Sequence, residues 1–252
     1  MQTVDKAIAL LGFFSPAEPE VGLSELARIA GYDKAATRRF LVALGKHGFI
    51  EQNPVNRRYR LGSAFLKFAR IREATVPLAS VIQPVLEAMA TATGETSHAS
   101  LLTGDSLATI CVAEPQRGTR VYVDPSEPLP LHATASGLAC LAHAGASFHD
   151  SYFVRQTLER HTDHTVLSRS GIEDLLAAAR RDGYARAERS FTDDVIGTAA
   201  AFFDASGRPA GAIAIAAIAS RFTPDAARLI AAEVVAAAAA VTSATGGREQ
   251  GS

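Results

Sequence analysis

Apolar residues recur at helical spacing from the start of the chain. Val4, Ile8 and Leu11, with Ala7, Leu10 and Phe14 slightly offset, predict a helix with one buried face, stopped by Ser15-Pro16. Leu23, Leu26, Ala27 and Ala30 predict a short second helix, and Gly31 is placed to end it in a left-handed conformation. Asp33 suits the N-cap of a third, whose inward positions are Ala36, Phe40, Leu41 and Leu44 and which Gly48 closes. Two helices joined by a short glycine-containing turn form a helix-turn-helix pattern. Residues 49–51 and 58–61 then read as short strands around the turn chemistry of 52–56, a basic hairpin or wing.

Further along, a helix is expected over 63–72 with Phe65, Leu66 and Ala69 on one side, interrupted by Pro77. A second covers 78–93, with Val81, Val85, Leu86 and Met89 on its apolar face. Strands are predicted at 98–103, 108–113, 119–123, 184–188, 197–204 and 211–218, and helices at 135–144, 148–158 and 170–181, the last N-capped by Ser170. Thr223-Pro224-Asp225 opens a final helix with an N-cap, a proline at N1 and an acid in the first turn; it ends before Gly246-Gly247. No internal repeat interrupts this order. The class is α+β.

The 252 residues, 48% apolar and 20% charged, suffice for two modest domains. The alanine-rich stretch 230–241 carries Glu233 and reads as a soluble helix, not a membrane span. The N-terminus has an early acid, Asp5, and no small-residue cleavage site, so no signal peptide is expected. Two cysteines, Cys111 and Cys140, make neither a disulfide framework nor a metal pair. A cytoplasmic protein is the expectation. Charge is uneven: residues 1–75 hold twelve Lys and Arg against seven Asp and Glu, a net of +5, while the remainder nets −6. A basic module on an acidic body suits a polyanion partner for the first part, although a basic face is ordinarily just solvated.

With Phe40, Leu41 and Leu44 inward, the third helix leaves Lys34, Ala35, Thr37, Arg38 and Arg39 free in its first turns. A recognition helix reads base edges with those turns. Ala and Thr methyls can touch a thymine methyl, and arginines can take guanine or phosphate. The hairpin tip adds Arg57 and Arg58, which would meet the backbone or the minor groove.

These segments resemble the IclR family of bacterial transcriptional regulators. The N-terminal carriers are "VDKAIALLGFF", "LSELARIAGYDKAATRRFLVALGKHGFIEQ" and "RRYRLG". The later ones are "PLHATASGLACLA", "DLLAAARRDGYARAE" and "GTAAAFFDASGRPAGAIAIAAIASRFT", so the likeness spans about residues 1–241. It implies an N-terminal winged helix-turn-helix (1–62), a linker helix (63–77), a GAF-like α/β effector-binding domain (78–246) and a disordered tail (247–252). It further implies operator DNA and a small-molecule effector as partners, a homodimer or homotetramer, and no membrane. No cofactor, metal or catalytic residue is implied, and repression is the favoured sign. DNA contacts carry over to Lys34, Ala35, Thr37, Arg38, Arg39, Arg57 and Arg58. Effector contacts carry over to His132, Ala135, Ser136, Glu188, Val195, Gly197, Ala214 and Ala216, with the N–H groups at Ala135 and Ser136 facing a ligand carboxylate.

Two departures bear on the ligand. Relatives that take small keto-acids tend to carry serines on the last strand and an acid soon after "DGY". This chain has Ala214, Ala216 and Ala187, with Glu188 one place on. A wider, more apolar cavity suits a flat aromatic acid or analogue, since a small polar acid would lack partners; alanine there can equally serve packing alone. Before "PLHATASG", relatives usually carry a glycine and a basic residue, whereas this chain has Asp124-Pro125-Ser126-Glu127. A second class remains open: a GAF-like sensor or enzyme whose basic module binds protein or RNA. Its best chemical case is Cys140 with His132 or His143, against which Cys140 falls on the apolar face of a small-residue helix. His161 and His164 in a polar loop lack a third ligand.

Overall fold

The computed structural model describes residues 2–15, 17–75, 78–155 and 157–248. The helix stops assigned to Pro16 and Pro77 and the tail from 249 onward lie outside them. The chain divides into two compact units, Met1–Pro77 and Leu78–Ser252.

In the first unit, α1 (Gln2–Ala9) tightens into a 3-10 turn at Leu10–Phe13. It is followed by α2 (Leu23–Ile29), α3 (Lys34–Lys46), the antiparallel strands β1 (Ile50–Gln52) and β2 (Tyr59–Leu61), and α4 (Ala64–Thr75). Leu10, Val21, Leu26, Leu41, Leu44, Ile50 and Tyr59 form one core. The expected inward face of α1 differs: Leu10 is buried, while Val4 and Ile8 are exposed. Gly31 adopts φ +67° in the turn between α2 and α3, a conformation that would strain any side chain. The Asp33 carboxylate then accepts from Ala36 N at 2.7 Å, capping α3. On α4, Phe49 stacks against Phe68 and meets Phe65 edge-on, yet Leu66, Phe68 and Ile71 remain at least half exposed.

The second unit begins with α5 (Leu78–Thr93) and the hairpin β3 (Thr96–Thr103) and β4 (Ser106–Ala113). A segment of bends and turns leads to the two-residue strand β5 (Leu129–Pro130). Next come α6 (Ala135–His143), α7 (Ala146–Arg155), α8 (Arg169–Asp182), β6 (Ala185–Glu188), β7 (Val195–Phe203), β8 (Pro209–Ile218) and α9 (Pro224–Ala244). The six strands form one antiparallel sheet, ordered β5-β4-β3-β8-β7-β6. Strand alternation sorts the core into two layers. Ala212, Ala214, Ala199 and Ala201 face α6 and α8, whereas Ile213, Ile215, Ala200 and Phe202 face α5 and α9. α9 is long and apolar enough to cross a membrane, but Ile230, Val234, Ala237, Ala238 and Val241 are buried in the second layer.

Several sequence expectations shift. Residues 119–123 form no strand and pair with none among the described residues. The cap of α8 is Ser168, whose hydroxyl accepts from Gly171 N, not Ser170. Gly247 and Arg248, assigned to a loose tail, donate backbone hydrogen bonds to Thr242 O and Asp204 O and lie against the end of β7.

Candidate functional sites

The outer face of α3 is a shallow basic groove in the first unit. Lys34, Ala35, Arg38 and Arg39 line it, and Val42, Ala43, Lys46 and His47 continue it one and two turns on. Lys34, Ala35, Arg38 and Arg39 are all exposed. Sequence reasoning missed the continuation, although 38, 42 and 46 share a face at a spacing of four. Thr37 requires a correction. It is fully buried, and its hydroxyl donates to Asp33 O at 2.9 Å. A polar residue in the first turn need not face solvent when a local carbonyl satisfies it. Thr37→Val is therefore expected to lower stability by about 1 kcal/mol and leave DNA affinity unchanged. Denaturant unfolding beside an operator titration checks this.

The two wing arginines have different surroundings. Arg58 is half-buried and donates to Glu20 O through Nε (2.9 Å) and Nη2 (2.7 Å), with Glu25 Oε2 at 3.2 Å. The Glu20 side chain accepts from Asn56 and Asn53, which hold its carboxyl below the usual range. Arg58 thus latches the wing onto the segment before α2 and is not a free cation for DNA. Arg57, at φ +61°, is exposed at the tip.

The second unit holds a cavity of about 120 Å³ between the sheet and the start of α6. Its floor is a row of minimal side chains in lateral register: Ala216 opposite Gly197, and Gly197 opposite Ala187, with Ala214 beside His98. A Cβ on Gly197 would come within 3.1 Å of Ala135 Cβ, so a glycine there lets α6 approach the strand. Thr134 caps α6 by accepting from Gly137 N. The N–H groups of Ala135 and Ser136 are left without intrahelical partners, at the positive end of the helix dipole. Val121 to Asp124 and Glu127 form one wall, and Phe191, Thr192 and Val195 another.

Of the carried-over effector residues, Ala135, Ser136, Val195, Gly197, Ala214 and Ala216 meet at this cavity. Two do not. Glu188 is exposed in a separate groove beside α8, because strand alternation turns it away and Ala187 inward. His132 is buried outside the lining. Its Nε2 donates to Glu159 O at 2.9 Å, which leaves Nδ1 to accept from the Tyr152 hydroxyl at 3.1 Å. Both nitrogens are thereby used, and burial lowers its pKa. His98, missed from sequence, is in the lining. Its Nε2 is 3.5 Å from Ser136 Oγ, its Nδ1 has no partner among the described residues, and burial brings the imidazole down to about 4. Cys140 is fully buried on α6, and burial pushes its thiol up to about 12, the opposite of an activated nucleophile.

A winged helix-turn-helix with an exposed basic recognition helix, on a chain whose second unit encloses a ligand-sized cavity, defines a DNA-binding regulator with an effector-binding domain. Comparison with known proteins narrows the class. The profile described as "Bacterial transcriptional regulator IclR C-terminal" matches residues 74–243, and "IclR helix-turn-helix domain" matches 3–54. The chain belongs to the IclR family of bacterial transcriptional regulators. It is 28% identical over 250 residues to the transcriptional repressor IclR of Escherichia coli K12, covering 98% of this chain and 91% of that one. A crystal structure of an IclR transcriptional regulator from Silicibacter sp. TM1040 is 38% identical, with a TM-score of 0.90 over 98% of this chain and 97% of that one. An IclR homologue from Microbacterium hydrocarbonoxydans, crystallised with 4-hydroxybenzoate, shares the fold at 20% identity and a TM-score of 0.77, over 96% of this chain and 98% of that one.

Proposed function

We propose that the protein is a repressor released from its operator by an aromatic carboxylic acid or a close analogue. The observation that carries this reading is the cavity: an apolar floor of Ala214, Ala216, Ala187 and Gly197 beneath the unpaired N–H groups of α6. The floor suits the face of a ring, and a helix N-terminus suits a carboxylate. About 120 Å³ is of the order of the roughly 150 Å³ of an engineered cavity that holds benzene, so the floor is on the scale of a single ring. Phe191 in the wall offers an aromatic neighbour. The Microbacterium homologue's 4-hydroxybenzoate is compatible with this size class.

On the DNA, Lys34, Ala35, Arg38 and Arg39 read the major groove, and Arg57 contacts the backbone or minor groove from the wing. The exposed apolar residues of α4, Leu66, Phe68 and Ile71, support self-association as a homodimer or a tetramer built from dimers. A two-fold assembly places two recognition helices about 34 Å apart on successive turns of one DNA face. The effector acts by binding the DNA-competent and DNA-incompetent states with different affinity.

The test is binding of the purified protein to its own upstream DNA at low and moderate salt, with and without benzoate and its ring-substituted relatives. Specific, salt-sensitive binding that one acid weakens supports the reading, and binding that none alters removes the acid. Ala216→Phe fills the floor. It is expected to abolish the acid's effect while operator binding without acid stays within about two-fold of the parent, as read by fluorescence anisotropy.

A further inference from the structure

The alanine floor and the helix N-terminus account for a ring and a carboxylate, but not for the imidazole between them. His98 is 7% exposed on β3, opposite Ala214, with its ring in the cavity lining. Among the described residues Nδ1 is buried with no partner, and Nε2 has only the 3.5 Å approach of Ser136 Oγ, too long for a strong bond. Buried polar groups are nearly always satisfied, and an exception asks for a ligand or water. Nε2 lies against the first turn of α6, where the N–H groups of Ala135 and Ser136 have no intrahelical partners. Among the described residues the lining contains no Lys or Arg. An anion entering this cavity therefore finds the neutral donors of α6, the carboxylates of Asp124 and Glu127 on one wall, and one group able to become a cation.

We propose that His98 is the specificity-determining residue for the effector's carboxylate, and that acid binding is coupled to uptake of one proton from solvent by its imidazole. The inference rests on the reading of the cavity as an acid site. In the empty cavity burial keeps the ring neutral, at about 4. A carboxylate at the α6 N-terminus lies beside the ring and favours the imidazolium, so the liganded pKa rises. The balance is simple: imidazole, a solvent proton and a carboxylate become an imidazolium–carboxylate ion pair, with no bond broken. Between the empty and liganded pKa values, affinity then rises up to ten-fold for each unit that pH falls. The titratable groups sharing the cavity are Tyr122, Asp124 and Glu127 on the 121–127 wall; α6, β4, β8 and the 189–194 segment place Ser136, Val112, Ala214 and Thr192 near the site, none of which titrates. Asp124 is already held below the usual carboxylate range by Ser126, so it stays ionised and takes up no proton near neutrality.

The experiment is calorimetric titration of the full chain with benzoate, between pH 5.5 and 8, in two buffers of different ionisation enthalpy, with benzamide as the neutral probe. The expected result is proton uptake that grows as pH falls for benzoate, none for benzamide, and none for benzoate with His98→Gln, which keeps a hydrogen bond but cannot titrate. Glu127→Gln is expected to retain the uptake. Benzoate binding without proton uptake, or with the same uptake in His98→Gln, overturns the role of His98 and leaves the acid site standing. If benzoate does not bind at any pH, the acid reading falls and this inference with it. Should His98→Gln not fold, the buffer dependence of the unsubstituted protein decides: uptake retained in Glu127→Gln supports the proposal, and its absence overturns it.

Discussion

Replacing Arg38 and Arg39 together by alanine is expected to weaken operator binding at least thirty-fold while the effector binds unchanged. Both side chains are exposed in the first half of α3, on the groove that Lys34 and Ala35 share. A base-edge or charge-assisted contact from such an arginine is worth about 1–3 kcal/mol, so two sum to about 2–6 kcal/mol, and 2 kcal/mol already corresponds to roughly thirty-fold. The two sites need not contribute alike. The arginine that reads a base should flatten the preference among operator variants; the one that contacts phosphate should weaken all sequences alike and reduce the salt slope by about one. Arg58→Ala is the instructive contrast. Its guanidinium is spent on Glu20 O and Glu25, so its loss should loosen the wing and lower thermal stability of the first unit. Anisotropy titrations at two salt concentrations separate these outcomes. Unchanged affinity in the double variant would remove α3 as the reading helix.

Gly137→Ala is expected to destabilise the second unit by about 3 kcal/mol, against the direction that helix propensity predicts. In an open helix this change gains up to about 1 kcal/mol. Gly137, however, is packed on the chain that precedes its own helix. A Cβ there would fall 2.3 Å from Leu131 Cα and 2.4 Å from Leu131 O. Those are backbone atoms in a fully buried segment and cannot swing aside, so the overpacking cost sits at the top of its usual range of about 1–3 kcal/mol. For a chain of this size that corresponds to a melting temperature lower by roughly 6–12 °C. Gly145→Ala is the control: a Cβ there meets nothing within 4 Å, and stability should stay within about 0.5 kcal/mol. Equal melting temperatures for the parent and Gly137→Ala would contradict the packing described for α6.

The elements were largely legible in sequence because their signals are local. Asp33, Thr223 and the glycines at 31 and 183 mark helix ends through cap chemistry, and 195–203 with 209–218 flank an evident turn. Two kinds of information were not local. The first is which side of an element is inside when both sides are covered. In Thr96-Ser97-His98-Ala99-Ser100 every residue is buried, so no alternation betrays that His98 faces the cavity. The same problem placed Glu188, not Ala187, at the ligand, where an error of one position reverses the face. The second is where a polar side chain spends its hydrogen bonds. Thr37, Arg58 and His132 were plausible contacts by residue type, and each is satisfied by the protein's own carbonyls. The stretch 119–123 has strand composition but joins no sheet among the described residues, and its residues 121–123 line the cavity.

The methyl-lined floor has a consequence for how ligand preference changes over time. Ala214 and Ala216 alternate with Ile213, Ile215 and Ala217, which carry the packing on the opposite layer. A substitution at either alanine rewrites the shape met by the ligand and spares the layer against α5 and α9, although Ala214 also packs in the layer under α6. Each position also starts from a single methyl group, so a single-nucleotide step to valine, serine, threonine or an acid adds bulk or polarity to a blank surface instead of dismantling an existing contact. Such a regulator is a ready chassis for new sensors: libraries confined to 187, 214 and 216 would explore recognition while leaving the layer against α5 and α9 intact.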